Sequence, residues 1–183
     1  MQAARSLHEP VSPALPAPYL LFLGDTVEPG YAKTAFGLRD WAPERCVGEY
    51  LLPGARVSTG LPAMSPTQAY AAGARALVIG VANAGGVIPE HWVAALITAV
   101  EAGLDIISGM HMRLSELPAL QRAATCHGRE LIDVRRPPDK LPIATGRKRS
   151  GNRLLTVGTD CALGKKYTAL ALARAFTSRG LDA

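Results

Sequence analysis

Six short apolar runs, Tyr19–Gly24, Cys46–Leu52, Ala76–Val81, Leu104–Ser108, Glu130–Val134 and Arg153–Val157, are continuous rather than alternating, and segments of helical period fit between most of them. A strand with one face in water alternates apolar and polar residues, whereas a strand buried on both faces does not. The pattern therefore predicts an α/β fold: a Rossmann-like, mainly parallel sheet with helices on both faces, occupying residues 19–134. Helix punctuation agrees. Ser65-Pro66-Thr67-Gln68 reads as an N-cap, a first-turn proline and a capping-box glutamine, with Gly73 ending that helix. Pro89 starts the next helix and Gly103 ends it; Ser115 is the expected cap of the one after, which Gly128 stops, with His127 suited to the negative end of the helix dipole.

Residues 135–151, with RRPP, a further proline and GRKRSG, carry no apolar period and read as a linker. A second domain is expected from residue 152, where the run Arg153–Val157 leads into GTDCALGKKYT and then a helical segment. This order of strand, glycine loop and helix start is that of a phosphate-binding loop. Glycines let backbone N–H groups face phosphate oxygens, and the helix dipole and a lysine add positive potential. Gly158, Thr159, Asp160, Gly164, Lys165, Lys166 and Tyr167 are the expected cofactor-binding residues, with Lys165 the phosphate lysine. The residue after that lysine is normally Ser or Thr, whose hydroxyl ligates magnesium; here it is Lys166. Thr168 lies roughly 200° around the helix from Lys166 and does not replace the hydroxyl. Phosphate binding follows more directly than nucleotide hydrolysis. Only one strand and one helix follow the linker, and a lone unit of this kind cannot cover its apolar face, so a truncated start of a P-loop-type domain over 152–183 is expected.

Length and composition bound the rest. The chain has 183 residues, 48% of them hydrophobic, enough for an ordinary core. The net charge of +5 resides largely between Arg135 and Arg153, where seven Lys or Arg face one Asp. A basic linker poor in aromatics does not read nucleic acid, so no nucleic-acid partner is expected. Cys46, Cys126 and Cys161 are odd in number and lack CxxC spacing, which indicates neither a disulfide framework nor a metal site and fits a reducing cytoplasm. Residues 1–18, rich in Pro and Ala, have no signal-peptide core and read as a disordered leader. Trp92–Val100 is about half the length of a membrane span, so no membrane partner is expected.

In open α/β sheets ligands bind beyond the carboxyl ends of the strands. Asp25, after the first strand, either orients a substrate amine or caps a turn. Lys33 and Arg39 offer cations to carboxylates, but six positions apart they do not share a helix face. The run Gly80–Gly86 presents Gly85 and Gly86 either to an anion or as a plain turn. After the fourth strand, His111 and Arg113 emerge together; His111 is either a base or a structural histidine. His8 and His91 have less claim, the first in the leader and the second on a helix surface.

The loop spacing, five residues between Gly158 and Gly164, resembles the GTDxxxGK loop of dethiobiotin synthetase-type enzymes. More of the chain speaks to another family. With YLLFLGD, AKTAFGLRDW, GARALVIGVANAGGVIPE, AGLDIISGMHMRL, LIDVRRPP, LPIATG and GTDCALGKKYTALALA in this order, the chain resembles the DgcN family of D-glutamate N-acetyltransferases, from residue 19 to the last. The resemblance covers about the first half of a typical member. It implies a Rossmann-like domain followed by a P-loop-type domain, and acetyl transfer from acetyl-CoA to the amino group of D-glutamate. The phosphate loop would then hold the CoA diphosphate, for which the hydroxyl missing after Lys165 is no loss. An ATP- and magnesium-dependent ligase or kinase is the competing enzyme class, a CoA- or nucleotide-binding module the non-enzymatic one. A homo-oligomer is compatible with all three.

Overall fold

In the computed structural model, residues 15–135, 146, 150–160 and 163–183 are described. Most of the expected leader and linker, and Cys161, lie outside them. The chain divides into two compact units, Met1–Pro138 and Asp139–Ala183.

The first unit is built on the apolar runs. Five become strands: β1 Tyr19–Gly24, β2 Cys46–Leu51, β3 Ala76–Ile79, β4 Asp105–Ser108 and β5 Leu131–Asp133. Their order is β2-β1-β3-β4-β5, and every pairing is parallel. β1 is buried along its whole length, as a strand covered on both faces must be. The connecting helices are α1 Lys33–Trp41, α2 Pro66–Ala71, α3 Val93–Glu101 and α4 Pro118–His127. Parallel crossovers are almost always right-handed, so the step from β1 out to β2 and back across to β3 puts α1 on one face and α2, α3 and α4 on the other. In keeping with this, α3 packs on both α2 and α4, while α1 lies against β1 and β3. Leu20–Leu23, Leu77, Ile79, Leu96, Leu104, Ile106, Leu114 and Leu120 fill the core. Each such side chain contributes about 1.5–3 kcal/mol by leaving water.

Local chemistry sets the helix ends. Ser65 accepts from the Gln68 N–H at 3.3 Å while Gln68 Oε1 accepts from the Ser65 N–H at 2.8 Å, completing the capping box. A 3-10 turn at Glu90–Trp92 follows Pro89 and leads into α3. The fourth helix departs from expectation: Ser115 does not cap it. Leu114–Glu116 forms a separate 3-10 turn, pinned by burial of Leu114 and by Asp133 Oδ1 accepting from the Leu114 N–H at 3.2 Å, and Pro118 starts the helix at its first position.

The long return from β2 to α2 is held by Glu49, 2% exposed. Its carboxylate accepts from the Ser58 hydroxyl at 2.5 Å, the Thr59 hydroxyl at 2.5 Å and the Thr59 N–H at 2.6 Å. Three donors offset the desolvation of a buried carboxylate.

The second unit corrects one expectation. The run Arg153–Val157 forms no strand; Leu154, Leu155 and Val157 are 64%, 82% and 78% exposed. The reason is the absence of any partner strand for it among the described residues, which would leave its N–H and C=O groups without a ladder. The helix that follows does form, as α5 Lys165–Thr177. None of its described side chains is fully buried, and Leu172 and Phe176 line an open groove with Leu154 and Leu181.

Candidate functional site

The strand order β2-β1-β3 places a topological switch point between the carboxyl ends of β1 and β3, where the connections leave in opposite directions. Asp25 stands there, immediately after β1. Its Oδ1 accepts from the indole N–H of Trp92 at 2.7 Å, and its Oδ2 lies 3.0 Å from Nε2 of His91. Both partners come from the connection between β3 and α3, so the two loops that flank the switch point meet through one carboxylate. The Trp92 N–H, reinforced by His91, holds the Asp25 carboxyl below its ordinary value of 3.8. Gly24 makes the approach possible. It has φ +57°, and a Cβ there would come within 2.4 Å of the Trp92 ring. Trp92 is 2% exposed and meets Phe22 edge-on at 5.2 Å. The backbone around Asp25 is held as well: Gly24 O accepts from Leu52 N at 2.9 Å, and Thr26 O accepts from Arg56 N and Val57 N at 3.0 and 3.2 Å.

The loops after β3 and β4 form a second contact. Gly86 O accepts from the N–H groups of His111 and Met112, each at 2.9 Å. Gly86 has φ +60°, and a Cβ on it would sit 2.3 Å from the His111 ring, so the glycine is required by the histidine beside it. Asn83 closes the same loop, accepting from Val87 N at 3.1 Å and donating to Val87 O at 2.8 Å. Gly85 is exposed at the tip. His111 Nε2 lies 3.2 Å from Nη1 of Arg135, so that nitrogen is an acceptor. A neutral imidazole that accepts at Nε2 carries its proton on Nδ1. Arg113 is exposed one residue before the Leu114–Glu116 turn.

The two cations after β1 separate. Lys33 opens α1 on an exposed position. Arg39 is drawn away, donating to Asp40 at 2.6 Å and to Thr59 O at 2.8 Å and lying over the Phe36 ring at 4.9 Å. The residue that sequence reading undervalued is His91. Its partner Asp25 is 66 positions away, and its own neighbourhood reads as a helix surface. Pro89 to Trp92 following a strand-end glycine loop is the signal it left.

In the second unit, Gly164 precedes α5 in the left-handed region, and Lys165 Nζ donates to Asp160 O, curling the lysine back over the loop. Thr156 Oγ1 donates to Lys165 O at 2.9 Å. Gly158 is packed by Leu163 and the Lys165 stem, which a Cβ would meet at 3.3 Å. Thr159 is exposed. Lys166 Nζ lies 4.9 Å over the Tyr167 ring. The Thr168 hydroxyl donates to Gly164 O at 3.1 Å, and two positions on from Lys166 it lies roughly 200° around the helix from the place that Lys166 takes. Among the described residues no cluster of three or more His, Cys, Asp or Glu is placed to hold a metal ion, and no helix is long and apolar enough to cross a membrane. Cys46 is no nucleophile candidate: burial, with the Glu44 charge adding, pushes its thiol up to about 11.

A Rossmann-like parallel sheet followed by a phosphate-loop unit defines the class. Residues 45–137 match the family model described as DUF1611_N, a Rossmann-like domain of unknown function, and residues 142–183 match its companion DUF1611_C, a P-loop domain. The chain belongs to the DUF1611 family. It is similar to a D-glutamate N-acetyltransferase of Tritonibacter scottomollicae, 50% identical over 164 residues, covering 90% of this chain and 49% of the relative. It is also similar to a D-glutamate N-acetyltransferase of a Pseudoalteromonas species, 42% identical over 165 residues, covering 90% and 50%. A crystal structure of a DUF1611 family protein from Anabaena variabilis aligns with a TM-score of 0.70 at 30% identity, over 90% of this chain and 51% of that one. The chain thus spans about half the length of the curated relatives it matches.

Proposed function

We propose that this chain is part of an N-acetyltransferase that moves an acetyl group from acetyl-CoA to the amino group of D-glutamate, as a step in D-amino-acid breakdown in the cytoplasm. The observation that carries the reading is the 50% and 42% identity, over 90% of the chain, to two proteins named for this activity. The loop chemistry supports it. Phosphoryl transfer in loops of this kind uses a magnesium-ligating hydroxyl at the position that Lys166 occupies, and Thr168 lies roughly 200° around the helix from it; binding the diphosphate of CoA needs only amides and cations. In this reading Gly158, Thr159, Asp160, Gly164, Lys165, Lys166 and Tyr167 serve the CoA phosphates. Lys33, Arg113 and the amide of the exposed Gly85 are the groups offered to the substrate carboxylates, the Gly86 N–H being taken by Asn83 O at 3.1 Å.

The reaction consumes a neutral amine and releases a thiol, so it is followed by trapping the CoA thiol in a protein of the relatives' length. Thiol release that depends on D-glutamate, proceeds with magnesium chelated, and yields no ADP when ATP is supplied is the expected result. D-glutamate-dependent ADP formation that stops when magnesium is removed would instead establish the ATP-dependent ligase or kinase that the loop spacing resembles.

A further inference from the structure

We infer that Asp25, His91 and Trp92 form the proton-accepting centre of this enzyme, with His91 the base and the other two its positioning residues; the inference rests on the transferase reading above. The juxtaposition that carries it is a carboxylate at the topological switch point shared between an indole N–H at 2.7 Å and an imidazole nitrogen at 3.0 Å.

The protonation pattern follows from the partners. Trp92 Nε1 can only donate, so Asp25 faces it as an acceptor. The Trp92 and His91 contacts favour the ionised carboxylate, and an ionised carboxylate has no proton to give. The nitrogen of His91 that faces it must therefore be the donor. A neutral imidazole that donates from Nε2 carries its lone pair on Nδ1, which has no partner among the described residues. The His91 side chain is 58% exposed, so that edge is open to a substrate. His111 presents the opposite arrangement, with its acceptor nitrogen already engaged by Arg135.

Rigidity distinguishes this pair from two side chains that happen to touch. Asp25 follows Gly24, whose φ of +57° and missing Cβ let the buried Trp92 lie against the backbone. His91 is the residue before that tryptophan. The carboxylate and the imidazole are thus each one residue from a packed anchor, the condition for holding a base within a few tenths of an ångström of its working position.

The proton balance is simple. The ammonium of D-glutamate gives one proton to solvent. As the amine nitrogen bonds to the thioester carbonyl carbon, Nδ1 of His91 takes a second. The C–S bond breaks with its electrons going to sulfur, and the imidazolium returns its proton to the thiolate. Amide, free CoA thiol and one released proton result, with no other reactant required. Asp25 stays ionised throughout and stabilises the transient imidazolium.

The test uses a protein of the relatives' length. H91Q is expected to lower kcat about 10²-fold while leaving KM for acetyl-CoA within about twofold, and added imidazole should restore part of the lost rate. D25N should lower kcat with the melting temperature nearly unchanged, and W92F should lie between it and wild type. In the wild type, ¹⁵N chemical shifts are expected to show His91 protonated on Nε2 and bare on Nδ1. H91Q running at the wild-type kcat from about pH 6 to pH 9, or the reverse tautomer, overturns the inference, leaving the pair as a latch between two loops. Failure of the activity itself reads differently: a wild-type protein that releases no thiol with D-glutamate removes the substrate assignment before any variant is compared.

Discussion

The strand β1, YLLFLG, and the run Arg153–Val157, RLLTV, share a Leu-Leu pair and both read as short strands, yet they meet opposite fates. β1 is buried at every residue between β2 and β3, whereas Leu155 is 82% exposed and its segment forms no ladder. The difference is not propensity. A continuous apolar run specifies a strand with two neighbours and two covered faces, and becomes one only where the chain supplies them. Helices obey a looser rule because their hydrogen bonds are internal, and α5 accordingly forms although it buries no side chain completely.

The largest effects should come from breaking the packed side of this comparison. Phe22→Ala should cost about 3–5 kcal/mol in urea unfolding, since it opens a cavity at the centre of the sheet and removes the ring against Trp92. Leu155→Ala should cost under about 0.5 kcal/mol in the 183-residue chain, because there is little burial to lose. Equal effects would mean that the run is packed after all.

Gly24→Ala comes next. A Cβ at φ +57° and 2.4 Å from the indole forces either the backbone or Trp92 to move, which should cost about 1–3 kcal/mol and disturb the Asp25 contact with it. The near-ultraviolet tryptophan signal and the melting temperature should change together. A silent Gly24→Ala would show that the loop has slack.

On the open side, Lys165→Ala should weaken binding of a CoA or nucleotide phosphate by about 1.5–3 kcal/mol in a protein of the relatives' length, the scale of charge-assisted contacts, with little effect on unfolding. An unchanged dissociation constant would remove the loop from the site.

The smallest effect concerns the thiols. Cys46, pushed up to about 11, should resist alkylation at neutral pH where the exposed Cys126 reacts. A raised thiol pKa stabilises the fold fully below the ordinary value of 9.0; that contribution is lost as pH rises through about 11. Faster labelling of Cys46 than of Cys126 at pH 7 would contradict the burial that sets this value.

The contrast between β1 and Arg153–Val157 also explains what was legible in the sequence. Five strands and the Ser65 capping box could be read because burial on both faces and a cap are written in contiguous residues. Asp25 could be found at a strand end, yet its partners could not: His91 and Trp92 lie 66 and 67 positions on, and only the β2-β1-β3 order brings them together. Glu49 was illegible for the same reason, since its donors are Ser58 and Thr59 across a turn that has no period. The Ser115 cap failed because Pro118 and the buried Leu114 outweigh a locally plausible serine.

The proposal that the phosphate loop serves a thioester donor, not a metal-bound nucleotide, has a direct test. Calorimetric titration of CoA into a protein of the relatives' length, with magnesium present and then chelated, tests it most directly. The same CoA dissociation constant is expected in both conditions, weakened by Lys165→Ala, with weaker binding of ATP. Binding that requires magnesium and prefers ATP would contradict it.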